Sequence, residues 1–405
     1  MKTLCSDAAL PSDGRASTFA RSTLVALVVF AAITPLLLLV APAVAGQLAT
    51  QLGLSASQIG TYFFVELGAF SVATLPSYLW LGRVDARRVA ACAIALFGVG
   101  NLLTAWWMPG FVPLLALRAV TALGGGSLMV LCMTSAATSE NSDRVYGLWV
   151  VGQLIAGAIG LFVLPHLFAA FGLRALYVAL ALLAGLAAPL SRGFPATLGA
   201  RTASAQAARD AATDASRRFV ALAIGAVLAF YLAIGSVWTF ASRAAAAAGL
   251  DPQSTGNVLA IASVMGIAGA ALASCAGGRL ARRAMLAAGY ALLAAALVAL
   301  AALPRASGYS AAIFAFKFAW TFVLPFILAT VAQIDTSGRL VATLNFVIGA
   351  GLAAGPLLAG LLLDAGGTMH ALFAAATAVA IASFAALRHI DRRTRTSMTS
   401  VSSQP

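Results

Sequence analysis

Lysine is almost missing from this chain. Of 25 basic residues in 405, only Lys2 and Lys317 are lysine, and the remaining 23 are arginine. Charge of either sign is scarce, at 9% of residues, with 12 acidic side chains in all. A soluble domain of this length could not cover a 61% hydrophobic composition with so few polar groups. The chain has three histidines and four cysteines, Cys5, Cys92, Cys132 and Cys275, none at metal-ligand spacing. None of the cysteines falls in a segment expected outside the cell, so no disulfide is expected. Catalytic motifs are also wanting. There is no HExxH, no aspartate-rich diphosphate motif and no P-loop, and Gly53-Leu54-Ser55-Ala56-Ser57 falls short of GxSxG. The sequence gives no reason to expect an enzyme, a cofactor or ATP-driven work.

Apolar length is what the chain does have. Its mean hydropathy is +0.96, and runs of about 20 apolar residues read as membrane-spanning helices, which satisfy their own backbone in lipid. Twelve are expected, at about 22–46, 58–81, 89–107, 111–137, 145–168, 173–190, 218–242, 254–276, 284–303, 309–333, 340–363 and 369–387. The fold class is therefore an all-α integral membrane protein. The run at 22–45 ends in Ala43-Val44-Ala45, which resembles a signal-peptidase site, yet is too long for a signal core of about 7–15 residues. It reads as a retained first span. A polar stretch, 191–217, divides the chain into a six-span half at 22–190 and another at 218–387, with tails at 1–21 and 388–405.

The net charge of +13 would suggest nucleic acid in a soluble protein. Here the basic residues are scattered over short loops, so no nucleic-acid partner is expected. With the N-terminus inside, 20 basic residues fall in inner segments and only Arg174, Arg243 and Arg305 in outer ones. That asymmetry puts both termini in the cytoplasm of a multi-pass inner (cytoplasmic) membrane protein. Trp106-Trp107 and Trp80 fit interfacial belts.

Each half repeats the other. GRVDARR at 82–88 returns as GRLARR at 278–283, and GLSASQIG at 53–60 aligns with GLDPQSTG at 249–256. SDR at 142–144 and AFG at 170–172 fall on SGR at 337–339 and AGG at 365–367. Six spans per unit make the repeats parallel, related by an axis along the membrane normal.

This pattern resembles the major facilitator superfamily (MFS) over essentially the whole chain. GRVDARR is similar to that family's cytoplasmic loop motif through Gly82, Asp85, Arg87 and Arg88, though it is a few residues short. RAVTALGGG is similar to the fourth-helix motif through Arg118 and Gly124, with Ala122 where glycine is usual. The Gly-Pro pair of drug/proton antiporters is missing from the fifth span, and Gly355-Pro356 stands in the eleventh. The resemblance implies two six-helix bundles and a bacterial secondary active transporter. Such a carrier moves a small organic solute by alternating access, is proton-coupled and works as a monomer in the lipid bilayer. It also implies that Asp85 and neighbouring arginines form an ionic latch at the inner gate. Drug/proton-type efflux of hydrophobic compounds is the alternative, and a non-transporting membrane receptor a further one.

Three ionisable residues fall inside spans: Glu66, Arg118 and Lys317. Each costs about 2.5–3.5 kcal/mol on insertion scales unless paired or functional. Counted from Gly110 and Gly308, Arg118 and Lys317 lie at similar depth in the fourth and tenth spans, which line the central cavity of the resembled fold. Together they would suit an organic anion. Lysine can give up its proton and arginine cannot, so Lys317 and Glu66 are candidates for proton coupling. Glu66 could instead simply neutralise Arg118. Tyr231 and Trp238 share a helix face and, with Gln153, Asn345, Gln47 and Trp320, could complete a binding site. Gly124–126 and Gly349, Gly351, Gly355 and Gly360 would let helices approach closely, as a sliding interface between halves. If Asp85 forms the latch, Asp85→Asn shifts the inward/outward balance; unchanged cysteine accessibility in both vestibules would count against it.

Overall fold

The computed structural model describes residues 21–81, 83–137, 139, 142–195, 217–276, 279–302, 305–332 and 339–402. The expected tail at 1–20, Gly82 of the first loop motif and linker residues 196–216 lie outside them. The described residues are helical apart from short turns, and eleven helices are long and apolar enough to cross a membrane.

The first expected span arrives in three pieces, α1 (Arg21–Ile33), α2 (Leu36–Leu39) and α3 (Ala41–Leu52). Pro35 has no N–H to continue the ladder, and Thr34 turns its hydroxyl back to the Phe30 carbonyl at 3.0 Å. The span runs on to Leu52 rather than stopping near 46, because Gly53 alone takes the left-handed cap, at φ 63°. Next come α4 (Ala56–Val72), α5 (Thr74–Trp80), α6 (Ala86–Trp107), α7 (Phe111–Ala137), α8 (Ser142–Phe171) and α9 (Arg174–Ala187), with a 3-10 turn at Ala188–Gly193. The second half holds α10 (Arg217–Thr239), α11 (Ala241–Ala247), α12 (Pro252–Ala276), α13 (Arg282–Ala301), α14 (Ala306–Ala332), α15 (Arg339–Asp364) and α16 (Met369–Ser402).

Helix starts follow local capping. Ser55 accepts the Gln58 N–H while the Gln58 side chain accepts the Ser55 N–H, a capping box for α4. Asp85 caps α6 through the Arg87 N–H at 2.8 Å. The last helix does not end near 387 as expected. Asp391 on its continuation is held by Arg282 and Arg283, each at 3.2 Å, which carries helix into the polar tail. Trp106 and Trp107 stand well exposed at the end of α6, as interfacial residues should.

The two halves repeat one neighbour pattern. In the first, α7 packs on α4 and α6, α6 on α9, and α1 on α8. In the second, α14 packs on α12 and α13, α13 on α16, and α10 on α15. Gly53 and Gly249, aligned in the repeat, both take left-handed φ. The halves meet along two seams, α4 against α15 and α8 against α12, which the repeat makes equivalent.

Glycine sets how close the seams come. A Cβ on Gly60 would strike the Pro356 carbonyl, one on Gly360 the Ala56 carbonyl, and one on Gly256 the Pro165 ring. Gly349 lies against the Ser71 hydroxyl. The other expected glycines do different work. Gly351 and Gly355 meet α10 within their own half, and Gly124 and Gly126 meet α6 and α4 within theirs. Only Gly349 and Gly360 of that set sit between halves.

In the orientation set by the arginines, the outer end of the α4–α15 seam is fastened by a carboxylate. Asp364 closes α15 and accepts the N–H groups of Ala56 and Ser57 at 3.1 and 2.8 Å. A negative charge there meets the positive end of the α4 dipole. Removing such a cap costs about 1 kcal/mol, a roughly fivefold shift between two conformers. Asp364→Ala is expected to raise thiol labelling of a single cysteine placed at Gln47 by about that factor. Unchanged labelling would show that the clasp does not hold the outer end.

Candidate functional site

The three intramembrane charges fall into two separate settings. Helix α4 starts at Ala56, so Glu66 lies ten residues in, about 15 Å along the axis. Its carboxylate takes Arg118 of α7 in a fork: Nε to Oε2 at 2.8 Å and Nη2 to Oε1 at 2.6 Å. The remaining arm of the fork, Nη1, donates to Asn101 Oδ1 of α6 at 2.8 Å. The Tyr177 ring of α9 covers the guanidinium at 5.0 Å, and its hydroxyl meets that of Tyr62 at 2.8 Å. Arg118, Asn101 and Tyr62 are fully buried. This knot ties four helices of one half together and leaves the arginine fork filled.

Lys317 stands elsewhere. Helix α14 starts at Ala306, three residues before the expected boundary, so Lys317 is eleven residues in, about 16 Å from the helix start. Gly308 lies within α14 whereas Gly110 precedes α7, so equal counts from the two glycines are not equal depths. From the helix starts, Lys317 is one turn deeper than Arg118. The expectation that both cations face one cavity at one level does not survive this geometry.

The Lys317 ammonium sits between two indoles, 3.9 Å from the Trp238 ring centre and 3.8 Å from that of Trp320. Only 2% of the residue is exposed, so it does not snorkel to the outer surface. Among the described residues it has no carboxylate partner. Its stem packs at 3.4 Å from where a Cβ on Gly266 would stand, with Leu154 of the other half close by. Trp238 in turn donates its indole N–H to the Leu38 carbonyl of the other half at 3.3 Å. The lysine cage is therefore built at the junction of the two halves.

The other expected residues scatter around this junction. Gln153 donates to the Ala31 carbonyl at 3.0 Å, joining α8 to α1. Tyr231 is buried, edge-on to Phe230, and meets Gly351 of α15. It thus faces its own half rather than forming one wall with Trp238. Gln47 donates to Gln51 at 2.7 Å. The Asn345 side chain lies outside the described set. Above Trp238, α3, α8, α11 and α12 enclose an outer vestibule of about 510 Å³ with Gln47, Thr50, Arg243 and Thr255 in an otherwise largely apolar lining.

At the inner end, Asp85 makes no ion pair among the described residues. Arg87 donates from Nε to the Phe194 carbonyl at 2.8 Å, within its own half. The second copy of the motif lacks the aspartate, and Asp391 from α16 supplies one. Asn101, Tyr62 and Tyr177 were missed in the sequence because each is a lone polar group in an apolar run. Tyr62 carried a faint signal, one turn before Glu66 on the same face.

The described helices form two repeated halves with a buried cation cage where they meet. The sequence profile of the Major Facilitator Superfamily matches residues 22–334, and the chain belongs to that superfamily. Its fold is shared with the nucleoside transporter NupG, at 11% identity and a TM-score of 0.68, covering 91% of this chain and 99% of that one. A bacterial homologue of the human lysosomal transporter Spinster follows at 13% and 0.64, covering 93% and 98%. The xylose transporter XylE from E. coli gives 12% and 0.69, covering 90% and 95%. A search of curated protein sequences returned no match.

Removing one partner of a buried pair strands the other charge, at about 3–5 kcal/mol. Glu66→Ala is expected to lower stability by that amount. Glu66→Met with Arg118→Leu should recover most of it. Thermal unfolding in detergent reads both, and a double variant as weak as the single would disprove a packing role for the pair.

Proposed function

We propose that this chain is a proton-coupled secondary transporter that moves a small organic anion across the bacterial inner membrane by alternating access. The observation that carries the reading is Lys317, a buried cation at the junction of the halves with two indoles around it and no carboxylate among the described residues. A cation so placed is costly when empty, and a substrate carboxylate would repay that cost. The indoles hold the ammonium by cation–π attraction and offer apolar faces to the rest of a solute. We assign the substrate site to Lys317, Trp238 and Trp320, with Gln153 and Asn345 as further candidates. Arg118 we assign to the structural knot with Glu66.

In this reading 22–190 and 218–387 rock as two bodies about the α4–α15 and α8–α12 seams. Residues 191–217 link them on the cytoplasmic side, where both termini lie. The carrier works as a monomer. Gly82, Asp85, Arg87 and Arg88 form the inner latch, open while Asp364 fastens the outer end. Lys317 can also exchange a proton, which gives the cycle a coupling device.

Efflux of hydrophobic compounds is the second reading, favoured by the apolar vestibule and the paired indoles. Thermal stabilisation by a ligand panel separates the two. A ligand at about 100 times its dissociation constant adds roughly 2.7 kcal/mol. Small carboxylates should stabilise the wild type and not Lys317→Ala. Stabilisation by lipophilic or cationic compounds alone, with Lys317→Ala unaffected, would hand the site to efflux. Lys317→Arg should keep anion binding and lose proton-dependent flux in vesicles; full proton dependence in that variant would remove Lys317 from coupling.

A further inference from the structure

A second cavity, of about 420 Å³, opens at the inner end of the second half, far from the lysine cage. It is lined by Arg282 and Arg283 at the start of α13, by Thr330 of α14, and by Phe384, Arg388, Asp391 and Arg392 of α16. Among the described lining residues four arginines face one aspartate, an excess of three positive charges. Asp391 holds Arg282 and Arg283 in place at 3.2 Å each, and Arg388 lies over the Phe384 ring at 5.6 Å. Arg283, Arg388 and Arg392 remain exposed enough to reach a ligand.

Topology alone does not call for this cluster. In the repeat register, Arg87 and Arg88 correspond to Arg282 and Arg283, but Gly193 stands where Arg388 does and Thr197 where Arg392 does. Asp85, which caps α6, corresponds to Ala281, and no side chain caps α13. The first half thus closes its helix start with an acid. The second leaves that positive helix end open beside four arginines, a setting suited to an anion.

The position selects the anion. Within the bundle, α13 packs on α14 and α16 and has no seam with the other half. Leu280 just before α13, Leu292 within it and Ile381 of α16 are exposed. A ligand with its charge in the cavity would have apolar surface running away from it along both helices. We propose that this cavity holds the phosphate group of an anionic phospholipid from the inner leaflet, with the acyl chains lying on α13 and α16.

The test uses purified full-length protein titrated with dioctanoyl phosphatidylglycerol, dioctanoyl phosphatidylcholine and inorganic phosphate, read by native mass spectrometry. Phosphatidylglycerol should bind and phosphatidylcholine should not. Each juxtamembrane cation contributes a factor of about five, so Arg388→Gln with Arg392→Gln should weaken phosphatidylglycerol by about 25-fold. Arg144→Gln with Arg218→Gln removes the same charge from the same side outside the cavity and should leave binding within about twofold. Equal losses in the two double variants would overturn the site in favour of diffuse attraction. Tight inorganic phosphate that depends on Arg388 and Arg392, with weak phosphatidylglycerol, would overturn the lipid assignment. Circular dichroism of both variants establishes that the fold is intact. None of these readouts depends on transport.

Discussion

A charge held in a bilayer must be answered, and the two buried cations of this chain are answered in opposite ways. Arg118 is matched completely: two bonds to Glu66, one to Asn101, one ring over the guanidinium. Such a knot has a single good geometry, because the guanidinium is planar and its donors are fixed. It therefore ties α4, α6, α7 and α9 together at one spacing. Lys317 is matched by ring faces alone. Cation–π attraction is worth about 2 kcal/mol when desolvated, less than full solvation provides. One cation is spent on rigidity, and the other is left available.

That division explains why the halves can differ in chemistry while sharing a fold. The neighbour pattern is set by small residues at the crossings, although the glycine can stand on either of the two helices. Phe70 of α4 meets Gly126 of α7 through its carbonyl, and Gly266 of α12 meets Thr321 of α14 in the same register. The charges are placed on this common frame one turn apart. Arg118 is closed in by helices of its own half, whereas Lys317 packs where Leu154 and Leu38 of the other half come close.

Most of the frame could be read in the sequence because apolar length, arginine bias and loop repeats are all properties of a one-dimensional string. The fold class and the superfamily followed from these, whereas α4 begins at Ala56 rather than 58 and puts Glu66 two residues deeper than expected. The pairing of Lys317 did not, because Trp238 and Trp320 lie on different helices and only their distances to the ammonium make them a cage. The Asp364 clasp was hidden for a similar reason. An acid at a helix end looks like a solvated terminus until the N-terminus of α4 is brought against it. Breaks were harder still: Pro35 and Pro42 announce the two interruptions of the first span, but the near twin of the second, at Phe240, has no proline. The two share φ near −100° and ψ near 15°.

Those twin breaks connect the outer vestibule to the cage. Leu38 and Trp238 each stand two residues before a break, and the Trp238 N–H bonds the Leu38 carbonyl across the junction. On one side of that indole is Lys317; just beyond it, Thr239 and Phe240 line the vestibule. In the proposed cycle a solute passing from the vestibule to the cage displaces Trp238, which costs one hydrogen bond and one ring contact to the lysine. An anion can compensate the second loss directly, by taking the ammonium that the ring gives up. A neutral solute cannot. In the proposed cycle the same indole that closes the path therefore favours anionic solutes, with specificity residing in what opens the gate as much as in what fills the site.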